Sequence, residues 1–171
     1  DELALPFCGD AGRPLLSEEP YLGTLARDVV ADARIVHPTR SIDIVVTGEP
    51  NVLGDGARLA QVVRNLVGNA LQHTDGDVQV DVVAGDARHT LRVRDSGPGI
   101  PSEALPHIFE RFWRGDSARS ASGGSGLGLP IVQALVAAHD GTIRVTSVPG
   151  EGTAFEVSLA ARAPQRDGRG A

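Results

Sequence analysis

Lysine is absent: all 16 basic side chains are arginine. A P-loop needs a lysine on its phosphates and a eukaryotic-type protein kinase needs one on a core strand, so both of these nucleotide-site designs are excluded. Methionine is absent too, so Asp1 is not a natural start and the chain is expected to be cut from something longer. Cysteine occurs once, at Cys8, which rules out an intrachain disulfide and any multi-cysteine metal site and points to a reducing compartment. No apolar run comes near the roughly 20 residues that span a bilayer, and no signal-peptide pattern opens the chain. The net charge is −6 with no basic stripe; nucleic acid is therefore not an expected partner.

What is present is 171 residues, enough for one domain with a proper core. They are organised around the stretch 55–74. Asp55 can cap a helix start by accepting an orphan backbone N–H. Leu59, Val62, Val63, Leu66, Val67, Ala70 and Leu71 then recur at helical spacing and form a wide apolar stripe. Asn65 and Asn69 stand one turn apart and share one side of that helix. Asparagine is a middling helix former, and each carboxamide oxygen can ligate a hard cation such as Mg2+, which is usually held by one or two protein oxygens plus waters and phosphates. Two asparagines that simply face solvent are the alternative.

Residues 1–20 mix Gly, Pro and acid without periodicity and read as a linker. From Tyr21 to Arg34 apolar residues keep helical spacing, and His37 and Pro38 end that helix. Residues 42–47 are β-rich, with Val52 and Leu53 as a short partner strand. Val78, Val80 and Val82, then Leu91 and Val93, alternate around a turn at Gly85 and Asp86, predicting a hairpin that ends at Asp95. A short helix capped by Ser102 carries Ile108 and Phe109. Residues 111–126 are polar and read as a mobile loop. Residues 127–139 form a helix with Gly141 as its stop, and 143–145 and 155–159 are two final strands around the turn at 149–152. The segment 161–171, rich in Arg and Gly, reads as a disordered tail. Three longer helices beside several strands predict a two-layer α+β sandwich.

Two glycine motifs carry candidate chemistry. Asp95, Gly97 and Gly99 sit where a strand ends. A carboxylate there can accept from an exocyclic amine while the glycines let backbone approach a flat ring, although Asp-Ser-Gly is also ordinary turn chemistry. Gly124, Gly126 and Gly128 run directly into a helix start, a ready phosphate site with free N–H groups and the favourable end of the dipole. A dinucleotide fingerprint would need a strand before it and closure of a βαβ unit, where a polar loop stands here.

In this order and spacing, the motifs resemble the catalytic ATP-binding domain of bacterial sensor histidine kinases, of the GHKL superfamily. The asparagine helix is similar to the N box, Asp95 to Gly99 to the G1 box, and Phe109-Glu110-Arg111-Phe112 to the F box. Gly124 to Gly128 resemble the G2 box, and Gly150, Gly152 and Thr153 the last glycine–threonine element; the likeness runs over residues 22–159. It implies a GHKL (Bergerat-type) sandwich with a mixed, largely antiparallel sheet on three helices, in a domain over 21–160. It implies Mg2+-ATP as cofactor, with Asn69 as the metal ligand and Asn65 on phosphate or metal-bound water. Asp95 would read the adenine amine with Gly97, Gly99 and Ile100 beside the base, and Thr153 would support it by hydroxyl or water. His73 would lie near ribose or phosphate, and Gly124, Gly126, Leu127 and Gly128 against the phosphates. Residues 111–125 would be the ATP lid, anchored by Phe109 and Phe112, and Trp113 at its edge should report nucleotide by fluorescence.

Two departures follow. Gln72 stands where many relatives carry a phosphate-directed lysine, and Arg111, Arg114 or Arg119 could replace that charge. Position 65 is Asn where the ATPase branches use a water-activating Glu; a carboxamide cannot act as a base, which favours phosphoryl transfer to a protein over hydrolysis. None of the five histidines fits the phosphoacceptor of such kinases, a His followed by an acidic residue on a separate helical hairpin; His139 lies at a helix end, where a cation suits the dipole. The acceptor, on a dimerisation hairpin, is expected upstream, together with a sensor and membrane anchor, so that this piece is a soluble cytoplasmic domain serving a response regulator. An anti-sigma-factor serine kinase of the same fold and a degenerate scaffold are the alternatives.

Overall fold

The computed structural model describes residues 18–113 and 126–162. Helix α1 (Leu22–Val36) leads to β1 (Ile42–Thr47), α2 (Gly56–His73), β2 (Val78–Val83) and β3 (Arg88–Asp95). After a single 3-10 turn (Leu105–His107) come α3 (Gly128–Ala138), β4 (Thr142–Val148) and β5 (Gly152–Ala160). The strands form one sheet in the order β1-β2-β3-β5-β4. β1 and β2 are parallel and every other pair is antiparallel; a parallel pair needs a crossover, and α2 supplies it. The expected α+β sandwich with a mixed, largely antiparallel sheet is what forms.

The core lies between the helices and one face of the sheet. Leu59, Val62, Val63, Leu66 and Val67 from α2 meet Val80, Val82, Leu91, Val93 and Val157, all essentially without solvent contact. Asp55 caps α2 as the sequence predicts, accepting from the Arg58 backbone N–H at 3.1 Å. The outer sheet face carries the charges: the register lines up Asp81, Arg92, Glu156 and Arg144 across four strands, opposite signs side by side as cross-strand pairing favours.

Local expectations shift in several places. Val52 and Leu53 form no strand; Asn51, Val52 and Gly54 each make a single bridge, to Tyr21, Ala161 and Glu18 respectively. Three partners on different sides cannot make a ladder, and Leu53 is left exposed. The helix expected after Ser102 is only the 3-10 turn, with no side-chain cap; Pro106 supplies no N–H and blocks a continuous i to i−4 ladder. Ile108 is nonetheless buried. At the end of α3 it is Asp140, not Gly141, that takes the left-handed conformation, at φ 52°. The Gly141 and Asp140 N–H groups reach Val136 and Ala137 carbonyls, the Schellman pattern displaced by one residue. Gly141 is small because a side chain would meet Leu159 and the Ser158 carbonyl. Ala161 and Arg162, two residues into the expected tail, still pair: Arg162 donates its N–H to Asn51 and its guanidinium binds Glu19.

Candidate functional site

The inward residues run Leu91, Val93, Asp95 on β3, Val157, Phe155, Thr153 on β5, and Ile143, Val145, Ser147 on β4. Each strand ends its apolar alternation in a polar side chain. The register sets Asp95 opposite Thr153 and Thr153 opposite Ser147, so these make one polar row at a single end of the core. Asp95 is only 5% exposed and accepts the Gly97 backbone N–H at 2.9 Å. Burial pushes its carboxyl above the ordinary value; the Gly97 and Thr153 backbone N–H groups and the charge of His73 pull the other way.

Thr153 is buried, and its Oγ1 lies 2.9 Å from Ser147 Oγ. Ser147 Oγ also takes the Ile100 backbone N–H at 2.7 Å and donates to the Gly152 carbonyl at 3.0 Å. The turn after β3 is thereby tied to the β4–β5 hairpin. Gly99 permits this: its φ is +76°, and a side chain there would strike the Val148 carbonyl and Pro149. A side chain at Gly97 would press on Asp95 Oδ1 and Thr74, so this residue sets the contact between β3 and the end of α2.

That end of α2 is held from outside. Arg40 donates to the Leu71 carbonyl at 3.1 Å, to Gly76 at 3.4 Å and to Thr74, placing a cation at the negative end of the helix dipole. Its buried Nε finds no partner among the described residues. His73, the last residue of α2, lies beside this cap; burial lowers its ring below the ordinary imidazole value, with Asp95 partly opposing. One turn back stands Asn69, whose carboxamide makes no hydrogen bond among the described residues, and a further turn back Asn65, whose Nδ2 approaches the Gly128 carbonyl at a long 3.4 Å. Gly68 and Gly128 have open space where a side chain would sit. The N–H groups of Gly128 and Leu129 in the first turn of α3 have no intrahelical partner, and Pro130 has none to offer.

Gly126, at φ +68°, accepts the Phe112 N–H at 3.0 Å. The two ends of the intervening segment are therefore pinned together. Arg114, Arg119 and Gly124 lie outside the described residues. Phe109 packs edge-on to Phe155, with centroids 6.4 Å apart, and Trp113 packs on the core. Phe112 does not anchor by its ring, which is 64% exposed; it contributes its backbone, at φ +62°. Arg111 is exposed, and Ile100 and Leu127 are half-buried at the two rims.

The sequence reading missed Ser147, Arg40 and the fixed state of His139. Ser147 is legible in hindsight as the polar break in the alternation of β4; Arg40 has no local signal. His139 accepts the Asp55 backbone N–H on Nε2 at 3.1 Å and meets the Leu135 carbonyl through Nδ1 at 2.7 Å. A backbone N–H can only donate, so Nε2 accepts from Asp55 and Nδ1 donates to the Leu135 carbonyl, and the ring ties α3 to the start of α2.

The sequence matches the family described as histidine kinase-, DNA gyrase B-, and HSP90-like ATPase over residues 54–163. It is 46% identical over 154 residues to the probable sensor histidine kinase TcrY of Mycobacterium tuberculosis, covering 88% of this chain and 32% of the relative. It is 40% identical over 169 residues to the sensor histidine kinase TrcS of the same organism, covering 93% and 33%. The chain thus spans about a third of the length of these curated relatives. Among solved structures, the mycobacterial sensor histidine kinase MprB superimposes with a TM-score of 0.73 at 28% identity, over 86% of this chain and 99% of that one. Full-length ShkA, solved in complex with AMPPNP, gives 0.76 at 32% identity, over 88% and 32%. The chain belongs to the family of histidine kinase-, DNA gyrase B- and HSP90-like ATPases.

Proposed function

We propose that this chain binds Mg2+-ATP and passes the γ-phosphoryl group to a histidine on a separate dimerisation hairpin of its parent kinase, which then serves a response regulator. The observation that carries the reading is the buried Asp95 carboxylate at the polar end of the core. A carboxylate can accept about four hydrogen bonds, and two backbone N–H groups leave capacity for a donor such as the adenine amine. Gly97, Gly99 and Ile100 would lie against the base, Thr153 would support Asp95, and His73 would stand by ribose or phosphate. Gly124, Gly126, Leu127 and Gly128 would meet the phosphates, where the first-turn N–H groups of α3, which have no intrahelical partner, suit an anion.

Asn69 would ligate Mg2+, with Asn65 on phosphate or metal-bound water. Among the described residues no group of three or more His, Cys, Asp or Glu could hold a metal, which fits an ion held by a carboxamide and the nucleotide's own phosphates. Bound Mg2+ neutralises phosphate charge during transfer. Arg111 and Arg114 would replace the charge missing at Gln72. Asn65 cannot act as a base, so water is not activated and a protein acceptor is favoured. The named relatives are sensor histidine kinases, which argues for a histidine acceptor over the serine of an anti-sigma-factor kinase. No described helix is long and apolar enough to cross a membrane; residues 1–20 would link this domain to upstream segments carrying the hairpin and any anchor, and the chain beyond the domain would form a tail.

Calorimetric titration of ATP with and without Mg2+, on wild type, Asn69→Ala and Asp95→Ala, tests the site. Metal-dependent binding that weakens in both variants is expected. Supplying the parent's histidine hairpin separately should then give acid-labile phosphate on the hairpin and none on this chain. Absence of binding at millimolar ATP would overturn the proposal.

A further inference from the structure

We infer that Ser147 is a positioning residue that makes the base-reading end of the site acceptor-only, and so sets its preference for a 6-amino over a 6-oxo purine. The inference rests on the nucleotide-binding reading above and follows from counting protons. Ser147 has one hydroxyl proton and two lone pairs, and its Oγ has three neighbours: the Ile100 N–H at 2.7 Å, the Gly152 carbonyl at 3.0 Å and Thr153 Oγ1 at 2.9 Å. The Ile100 N–H can only donate, and the Gly152 carbonyl can only accept. All three contacts are hydrogen bonds in one arrangement alone: Ser147 accepts from Ile100, donates to Gly152 and accepts the hydroxyl proton of Thr153.

The Thr153 proton is therefore committed away from Asp95, towards β4. Thr153 and Asp95 lie opposite one another on the inward face, and what they offer a ligand is lone pairs. A ligand held there must bring its own protons. A 6-amino purine brings an exocyclic N–H, and a water can donate one proton to the row and the other to ring N1. A 6-oxo purine turns a carbonyl towards the carboxylate, and two acceptors then meet with no proton between them. Without the Ser147 oxygen, the Thr153 hydroxyl is free to rotate and donate to that carbonyl.

The test is calorimetric binding of ATP and of inosine triphosphate, which differs from ATP at the 6-position edge of the base, to wild type, Ser147→Ala and Ser147→Thr. Wild type should prefer ATP. Ser147→Ala should narrow the Kd ratio roughly fivefold, the scale of one net hydrogen bond, and Ser147→Thr, which keeps the hydroxyl, should restore it. If Ser147→Ala does not fold, Ser147→Cys keeps the shape with a poor acceptor and is read in the same way. A merely structural Ser147 would raise both Kd values together and leave their ratio unchanged; that outcome, or a wild type without preference, overturns the inference while ATP binding stands. Wild type that binds neither nucleotide overturns the nucleotide-binding reading itself, and the inference with it.

Discussion

Replacing Asp95 with Asn should separate stability from ligand binding. The carboxylate is almost fully buried, and burial raises its pKa more than the Gly97 and Thr153 N–H groups and His73 lower it. A folded-state pKa above the ordinary value means that the charged form opposes folding: the group's contribution is fully favourable below the ordinary value and is lost as pH rises through the folded-state value. At neutral pH wild type therefore carries a penalty that Asn, a neutral isostere of the protonated acid, does not. An incompletely compensated buried polar group costs about 1 to 3 kcal/mol, and the two backbone donors offset part of it. We expect Asp95→Asn to be more stable than wild type at pH 7 by about 1 kcal/mol, or about 3 °C in Tm for a domain of this size. The gain should vanish as pH falls through the acid range where Asp95 protonates. Binding should move the opposite way: a hydrogen bond to a charged acceptor is worth about 1.5 to 3 kcal/mol, so ATP affinity should fall by roughly 10- to 150-fold. Thermal melts by circular dichroism from pH 4 to 8, paired with calorimetric titration of ATP, measure both. Destabilisation at pH 7, or a stability difference that ignores pH, would refute the electrostatic argument; unchanged ATP affinity would refute the role of Asp95.

Leu66→Ala removes a fully buried side chain from the centre of α2 and should cost about 2 to 5 kcal/mol in urea unfolding. Gly99→Ala forces a side chain into the left-handed region and onto the Val148 carbonyl; a loss of at least about 1 kcal/mol and weaker ATP binding should appear together, whereas a neutral result would mean that the turn readjusts freely. Arg40→Ala removes the donor from the carbonyls of Leu71 in α2, Thr74 at its C-cap and Gly76 just beyond and should lower stability by about 1 to 3 kcal/mol, with hydrogen exchange at 71–76 accelerating first. Burial lowers the His73 pKa, so its contribution to stability is present above the ordinary imidazole range and is lost as pH falls through the lowered value. Its NMR titration should show a midpoint below 6.5, and Asp95→Asn, which removes the opposing charge, should lower it further.

Much of the fold was legible because it rests on short-range regularities. The stripe on α2, its Asp55 cap and the alternation of β2 and β3 are written at periods of 3.6 and 2, and the structure returns each of them. Features that depend on partners distant in sequence were not. Val52 and Leu53 have β propensity but no continuous neighbour to pair with. Gly141 looks like a helix stop, yet Asp140 takes the left-handed turn while the small residue makes room for Leu159 and Ser158. The ring of Phe112 finds no cavity.

The same division runs through the site. Asn65, Asn69, Asp95 and the glycines announce themselves locally, because each stands out by residue type against the regular helix or strand pattern around it. Ser147 and Arg40 acquire their roles from strand register and from a loop folding back on a helix end, across 6 and 47 residues from Ser147 and 31 to 36 from Arg40. Sequence alone determined which chemical groups this protein possesses and which secondary elements carry them. Only the tertiary structure decided which lone pairs and protons face the cleft, because a hydrogen bond's direction is set by every partner that shares its atoms.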